Sequence, residues 1–188
     1  MTRAILIAAT LLAAQTAPVA HAEERSLNVL LTGGPEANMI HVELSPDGRS
    51  YVIDSIVSLE VGGNVCQHPG GNPNELVCEA ASISSFEVNA GGGGDSVVFS
   101  SKVPVPVTLR GGPGDDRLVG GAAPDKLIGG AGNDILIGRA NMDWLIGGPG
   151  EDRLFGGAGS DVLRGGPGLD VLVGGSGHNE LRQRPVGR

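Results

Sequence analysis

Aromatic side chains are scarce in this chain of 188 residues: one Trp, one Tyr and three Phe. Aromatics bury the most area per side chain and usually dominate enzyme cores, so their scarcity argues against an ordinary globular enzyme. Basic residues are also few, 13 Lys and Arg against 21 Asp and Glu, for a formal net charge of −8. That balance argues against nucleic acid as a partner, because polyanions are held by Lys and Arg that neutralise phosphates. It argues equally against an anionic membrane surface. Catalytic signatures are missing as well: there is no H-E-x-x-H and no G-x-S-x-G. His41, His68 and His178 fall in a strand pattern, a loop and a variable repeat position. The expectation is a protein without enzymatic activity. Glycine, by contrast, is abundant: 33 residues, about 18% against a usual share of about 7%. Because 40% of residues are still hydrophobic, and Gly, Asp and Leu recur in step, the composition points to a repeat protein. The acidic surplus leaves open a cation partner.

Residues 1–22 read as a secretory signal peptide. Arg3 supplies the positive start, Ala4 to Ala14 the apolar stretch, and Ala20-His21-Ala22 the small residues before a cleavage site ahead of Glu23. The apolar run is shorter than the ~20 residues a membrane span needs, and no other segment qualifies. An extracellular location follows as an expectation, with cell-surface association left open. Cys66 and Cys78 are the only cysteines. In an exported chain such a pair is most simply a disulfide. The alternative, a pair of metal thiolates, lacks a second cysteine pair.

From Gly111 to Arg182 the chain divides into eight nonapeptides: GGPGDDRLV, GGAAPDKLI, GGAGNDILI, GRANMDWLI, GGPGEDRLF, GGAGSDVLR, GGPGLDVLV and GGSGHNELR. Position 1 is always Gly and position 8 always Leu. Position 6 is Asp in seven (Asp116, Asp125, Asp134, Asp143, Asp152, Asp161 and Asp170) and Asn179 in the last. A Gly-Gly-x-Gly run turns sharply through positive φ without a Cβ clash, and its carbonyls can face a cation. The last three residues predict a short strand, whose alternation sends position 8 to one face and positions 7 and 9 to the other. One repeat cannot bury its single Leu, so the unit is stable only as an array.

This nonapeptide resembles the RTX, or haemolysin-type, calcium-binding repeat GGxGxDxUx, with U a large apolar residue. The resemblance implies an all-β, right-handed parallel β-roll in which two nonapeptides make one coil. It also implies Ca²⁺ between successive coils, held by turn carbonyls and position-6 carboxylates. Two repeats per coil sort the turns into two sides. The first carries Asp116, Asp134, Asp152 and Asp170, and keeps its turn glycines Gly112, Gly114, Gly130, Gly132, Gly148, Gly150, Gly166 and Gly168. The second carries Asp125, Asp143, Asp161 and Asn179. It departs from the pattern at Ala123, Arg139 and Asn141, where Ala at a positive φ would be strained and Asn better tolerated. Three calcium positions are expected between the turns of the first side, and fewer or weaker ones on the second. The competing reading is a calcium-free solenoid whose Asp side chains bond their own backbone.

Upstream, Gly91 to Val98 looks like one more turn and strand, with Asp95 as an extra ligand. Val103 to Leu109 reads as an extended strand, although Pro104 and Pro106 make an interior strand position awkward. Strands are also expected at Leu27–Leu31, Met39–Leu44 and Tyr51–Val61. The expected layout is a signal at 1–22, an irregular β cap at 23–89, the β-roll at 90–182 with regular repeats at 111–182, and a solvated tail at 183–188. An independent binding domain at 23–89 is the alternative for the cap. The functional expectation is a secreted calcium-binding protein whose array folds on meeting extracellular calcium. The alternative is an adhesion or interaction module that calcium stiffens.

Overall fold

The computed structural model describes residues 27–55, 66–72 and 74–183. The expected signal peptide, residues 56–61 of the third upstream strand and most of the expected tail lie outside the described residues. The described residues are all-β, strands stacked as a parallel solenoid of about five turns. Its strands are β1 (Leu27–Thr32), β2 (Met39–Leu44), β3 (Ser50–Ser55), β4 (Cys66–Gln67), β5 (Glu75–Glu79), β6 (Ile83–Asn89), β7 (Ser96–Phe99) and β8 (Val107–Pro113). Then come β9 (Arg117–Val119), β10 (Lys126–Ala131), β11 (Ile135–Ala140), β12 (Trp144–Ile146), β13 (Arg153–Ala158), β14 (Val162–Arg164), β15 (Val171–Ser176) and β16 (Glu180–Arg182).

Two sheets face each other across a single core. One has the order β1-β6-β8-β10-β12-β14-β16, the other β15-β13-β11-β9-β7-β2-β3-β5-β4. Alternate repeats feed alternate sheets, so strands two repeats apart pair in parallel and in register: Leu118 opposes Leu136, and Leu127 opposes Leu145. The register is fixed because a one-residue slip would turn each Leu outward. Leu109, Leu118, Leu127, Leu136, Leu145, Leu154 and Leu163 are all fully buried. The column opens at the C-terminal end, where Leu172 is only partly covered and Leu181 is 48% exposed, because no further described coil lies over them.

The upstream half continues both sheets. β1, β6 and β8 are parallel neighbours in the first sheet, and β2 pairs in parallel with β7 in the second. A meander β2-β3-β5-β4 then extends the second sheet in antiparallel fashion. Here the core is aromatic: Tyr51 meets Phe86 edge-on at 5.0 Å, and Phe86 meets Phe99 at 5.3 Å. Cys66 and Cys78 stand opposite each other on β4 and β5 and form a disulfide.

One upstream expectation is corrected. The strand expected over Val103–Leu109 begins only at Val107. Pro104 and Pro106 have no N–H to give to a ladder. Val103 instead closes a turn, its N–H donating to Ser100 O at 3.0 Å, while its side chain stays in the core.

Candidate metal-binding turns

Each coil has two corners, and each corner ends on a position-6 residue. Those residues form two ladders. On the first side the main-chain N–H of Asp116 donates to Oδ1 of Asp134, that of Asp134 to Asp152, and that of Asp152 to Asp170, each at 2.9 Å. On the second side Asp125 donates to Asp143 at 2.8 Å, Asp143 to Asp161 at 2.9 Å, and Asp161 to Asn179 at 2.9 Å. The two-sided sorting read from the repeats is the observed one. Oδ1 of each of these carboxylates thus bonds the backbone of the neighbouring coil.

The first ladder runs further upstream than the repeats do. The N–H of Asp95 donates to Asp116 Oδ1 at 2.7 Å, and the N–H of Asn38 to Asp95 Oδ1 at 2.6 Å. Asp95 is therefore a full rung, and so is Asn38, at the end of the degraded turn that follows Gly33-Gly34-Pro35. The Asn38 amide also donates to Ala90 O at 2.9 Å, which closes that end.

One oxygen per carboxylate is used by the ladder. The other, Oδ2, is buried without a hydrogen-bond partner in Asp95, Asp116, Asp134, Asp143, Asp152 and Asp161. Each of these six residues is at most 2% exposed. In the repeats Oδ2 lies over the position-1 glycine, in the space a Cβ would fill. A Cβ on Gly111 would overlap Asp116 Oδ2 and lie 2.7 Å from the carbonyl oxygen of Gly129. The same overlap brings Asp152 Oδ2 together with Gly165 O at Gly147, Asp143 Oδ2 with Gly156 O at Gly138, and Asp161 Oδ2 with Gly174 O at Gly156. Acceptors thus face acceptors with no donor between them. Buried polar atoms left in this state cost about 1–3 kcal/mol each, more when charged.

The electrostatics agree. Burial pushes the Asp116, Asp125 and Asp152 carboxyls up to about 6, and those of Asp134 and Asp143 up to about 7. The N–H bonds from neighbouring coils oppose burial, while the charges of adjacent rungs add to it, as Asp116 and Asp152 do for Asp134. The ion pairs Arg110–Glu87 and Arg182–Glu180 involve no turn aspartate.

Two turn aspartates differ. Asp125 Oδ2 accepts the N–H of Gly121 at 2.7 Å. Asp170 Oδ2 accepts from Gln183 Nε2 at 2.8 Å, and that amide also reaches Gly168 O at 3.0 Å. Gln183, which the sequence placed in a solvated tail, closes the first ladder at its C-terminal end. On the second ladder Asn179 plays that part, its amide donating to Gly175 O at 3.1 Å.

The turn backbone follows the expected pattern with one correction. Positions 2 and 4 take positive φ in seven of the eight repeats, including Arg139 at 89° and Asn141 at 72°. The exception is the turn from Gly120 to Asp125, in which neither Gly121 nor Ala123 lies at positive φ. Ala123 is therefore unstrained. The turn refolds around Val103, whose carbonyl accepts the N–H of Ala122 at 2.9 Å.

Among the described residues no three His, Cys, Asp or Glu side chains converge. Each position offers one carboxylate oxygen and main-chain carbonyls. This all-oxygen set suits calcium, which takes 6–8 oxygen ligands in flexible geometry, whereas magnesium demands a tight octahedron and keeps its waters. The orphaned oxygens and the cradle over the position-1 glycines fit such an ion.

Residues 110–145 and 146–181 each match the family model of the RTX calcium-binding nonapeptide repeat (4 copies). The two spans cover the eight nonapeptides, offset by one residue, so the chain contains RTX calcium-binding repeats. Neither the curated proteins nor the solved structures contain a match to it.

Proposed function

We propose that the chain is a secreted calcium-binding protein whose two aspartate ladders are completed by Ca²⁺, coupling order in the roll to extracellular calcium. The observation that carries this reading is the set of six buried, unpartnered Oδ2 atoms. Four lie on the first ladder (Asp95, Asp116, Asp134 and Asp152) and two on the second (Asp143 and Asp161). These carboxylates, with the carbonyls that converge on them, are the proposed ligands. The turns around Gly112, Gly114, Gly130, Gly132, Gly148, Gly150, Gly166 and Gly168 supply the corners of the first ladder. The bound ion supplies positive charge to a row of buried carboxylates. Asp125 and Asp170 already have donors on both oxygens and fall outside the proposed set. Export is supported by the features of residues 1–22 and by the Cys66–Cys78 disulfide, since disulfides persist in oxidising compartments.

The test is a calcium titration of the purified mature chain followed by circular dichroism, with a magnesium control and a count of bound ions after equilibrium dialysis. The expected result is a gain of β signal that magnesium does not reproduce, at a stoichiometry near the six orphaned oxygens. No calcium uptake, or equal order after exhaustive chelation, would overturn the reading.

A further inference from the structure

The last described coil exposes large apolar side chains at Leu169, Val171, Val173 and Leu181. A patch of this kind marks an interaction surface. The corners of the same coil are closed. Gln183 Nε2 donates to Asp170 Oδ2 and to Gly168 O, and the Asn179 amide donates to Gly175 O. Both ladders therefore end on amides, and what this end leaves open is apolar side chain and strand edge.

The open edge has a definite pattern. β16 is the last strand of its sheet among the described residues. On its paired side the N–H of Glu180 donates to Asp161 O at 2.7 Å, and Arg182 O accepts the N–H of Gly165 at 3.1 Å. Main-chain groups of successive strand residues point to opposite edges, so the N–H and C=O of Leu181 point to the open one. An open edge is a template for pairing with another chain. Leu181 ends the core column, while Glu180 and Arg182 share the outer face and form an ion pair there.

This strand reads acid, Leu, base about its midpoint, so it is complementary to itself in the antiparallel sense. With Leu181 opposite Leu181 of a second copy, the two residues exchange both main-chain hydrogen bonds. Glu180 then faces Arg182 of the second copy, and Arg182 faces its Glu180. The leucine columns of the two rolls meet end to end. A self-complementary patch related by a two-fold axis closes as a dimer and does not grow into a filament.

We propose that the chain forms a tail-to-tail dimer in which the β16 strands of two copies pair antiparallel about Leu181. The inference concerns the end of the roll and does not depend on what the ladders bind. One coil end is a small patch beside the roughly 1,600 Å² of a standard interface, so the dimer is reversible and concentration-dependent.

The test is sedimentation of the purified mature chain over a concentration series in calcium buffer. Wild type is compared with Glu180→Arg, with Arg182→Glu and with the two changes together. Wild type is expected to pass reversibly from monomer to dimer. Each single change sets like charges opposite each other at two places in the dimer and should weaken it roughly tenfold. The double change exchanges the partners and should restore it. Both residues are exposed, so the roll stays folded, which circular dichroism checks. A further variant, Leu181→Pro, is tolerated on an edge strand but removes the central N–H, and should abolish the dimer. A chain that is monomeric at every concentration would overturn the inference, whether residues 184–188 cover the end or nothing does. So would a dimer indifferent to the single changes, or one that the double change does not restore.

Discussion

The main-chain N–H of Asp116 donates to one carboxylate oxygen of Asp134, one coil further on, and the second oxygen of that carboxylate is buried with no partner. The two oxygens do different work. Oδ1 sets the spacing of the coils and needs only a lone pair. Oδ2 needs a counter-charge.

Asp134→Asn separates the two roles. The amide oxygen keeps the bond from Asp116, and the amide NH₂ can donate to a turn carbonyl, as Asn179 does to Gly175 and Asn38 to Ala90. The expected outcome is a loss of about one bound calcium, a lower melting temperature in calcium, and a higher one than wild type in chelator. Asp134→Ala removes both roles and leaves the buried Asp116 N–H unsatisfied, for a loss of about 1–3 kcal/mol even in chelator. Ion counting and thermal melts with and without chelator check both variants. An Asn variant no more stable than wild type in chelator would contradict the division of labour.

Acid should substitute for metal. Burial raises Asp116, Asp125 and Asp152 to about 6 and Asp134 and Asp143 to about 7, well above the usual carboxylate value of about 3.9 in an unfolded chain. The folded state then binds more protons than the unfolded state between those values, and unfolding free energy falls as pH rises through that window. The calcium-free protein is therefore expected to gain stability as pH drops from 8 towards 5. Apparent calcium affinity should fall over the same range, because protons compete for the same oxygens. Melts of the chelated protein across pH, and calcium titrations at pH 8 and pH 6, test the two halves. A chelated protein that loses stability on acidification through this window would contradict the burial of these carboxylates.

The nine-residue register made the roll legible. A strict repeat of Leu and Asp dictates which residues share a face, and pairs of repeats dictate which turns share a side. The upstream rungs follow no such period. Asp95 precedes Asp116 by 21 residues, and Asn38 precedes Asp95 by 57. A hydrogen-bonded rung requires only that the chain return to the sheet, so the meander β2-β3-β5-β4 could be inserted between rungs and erase the spacing. Gln183 was illegible for another reason. Its part depends on where a long side chain aims from a particular backbone conformation, which composition and period do not encode.

The corner glycines differ in what they tolerate. Gly130 sits at φ 129°, and a Cβ there would overlap the carbonyl oxygen of Gly112 on the preceding coil. Backbone strain alone costs roughly 1–3 kcal/mol at such a position, and the clash with a main-chain atom adds to it. Gly92 lies in the upstream turn of the same side. It lacks a positive φ, and its nearest neighbour to a Cβ is Pro35 O at 3.6 Å, an ordinary contact. Gly130→Ala is expected to lower the melting temperature sharply and weaken calcium uptake, and Gly92→Ala to leave both nearly unchanged. Equal effects of the two substitutions would show that the corner does not hold the observed backbone.

The disulfide should matter for stability and not for metal. Cys66 and Cys78 close a short loop between β4 and β5 at the edge of the meander, and Cys78 is buried in the common core. A loop of that size stabilises by about 3 kcal/mol in the chain-entropy account. None of the six orphaned oxygens belongs to the meander. The double substitution of Cys66 and Cys78 by Ser is therefore expected to lower the melting temperature by several degrees while the calcium count stays at the wild-type value. The core is continuous from Val29 to Leu163, so the loss should appear in the melting of the whole roll, as one transition. A separate early transition, with the roll melting as in wild type, would show that the meander folds independently of the coils beside it.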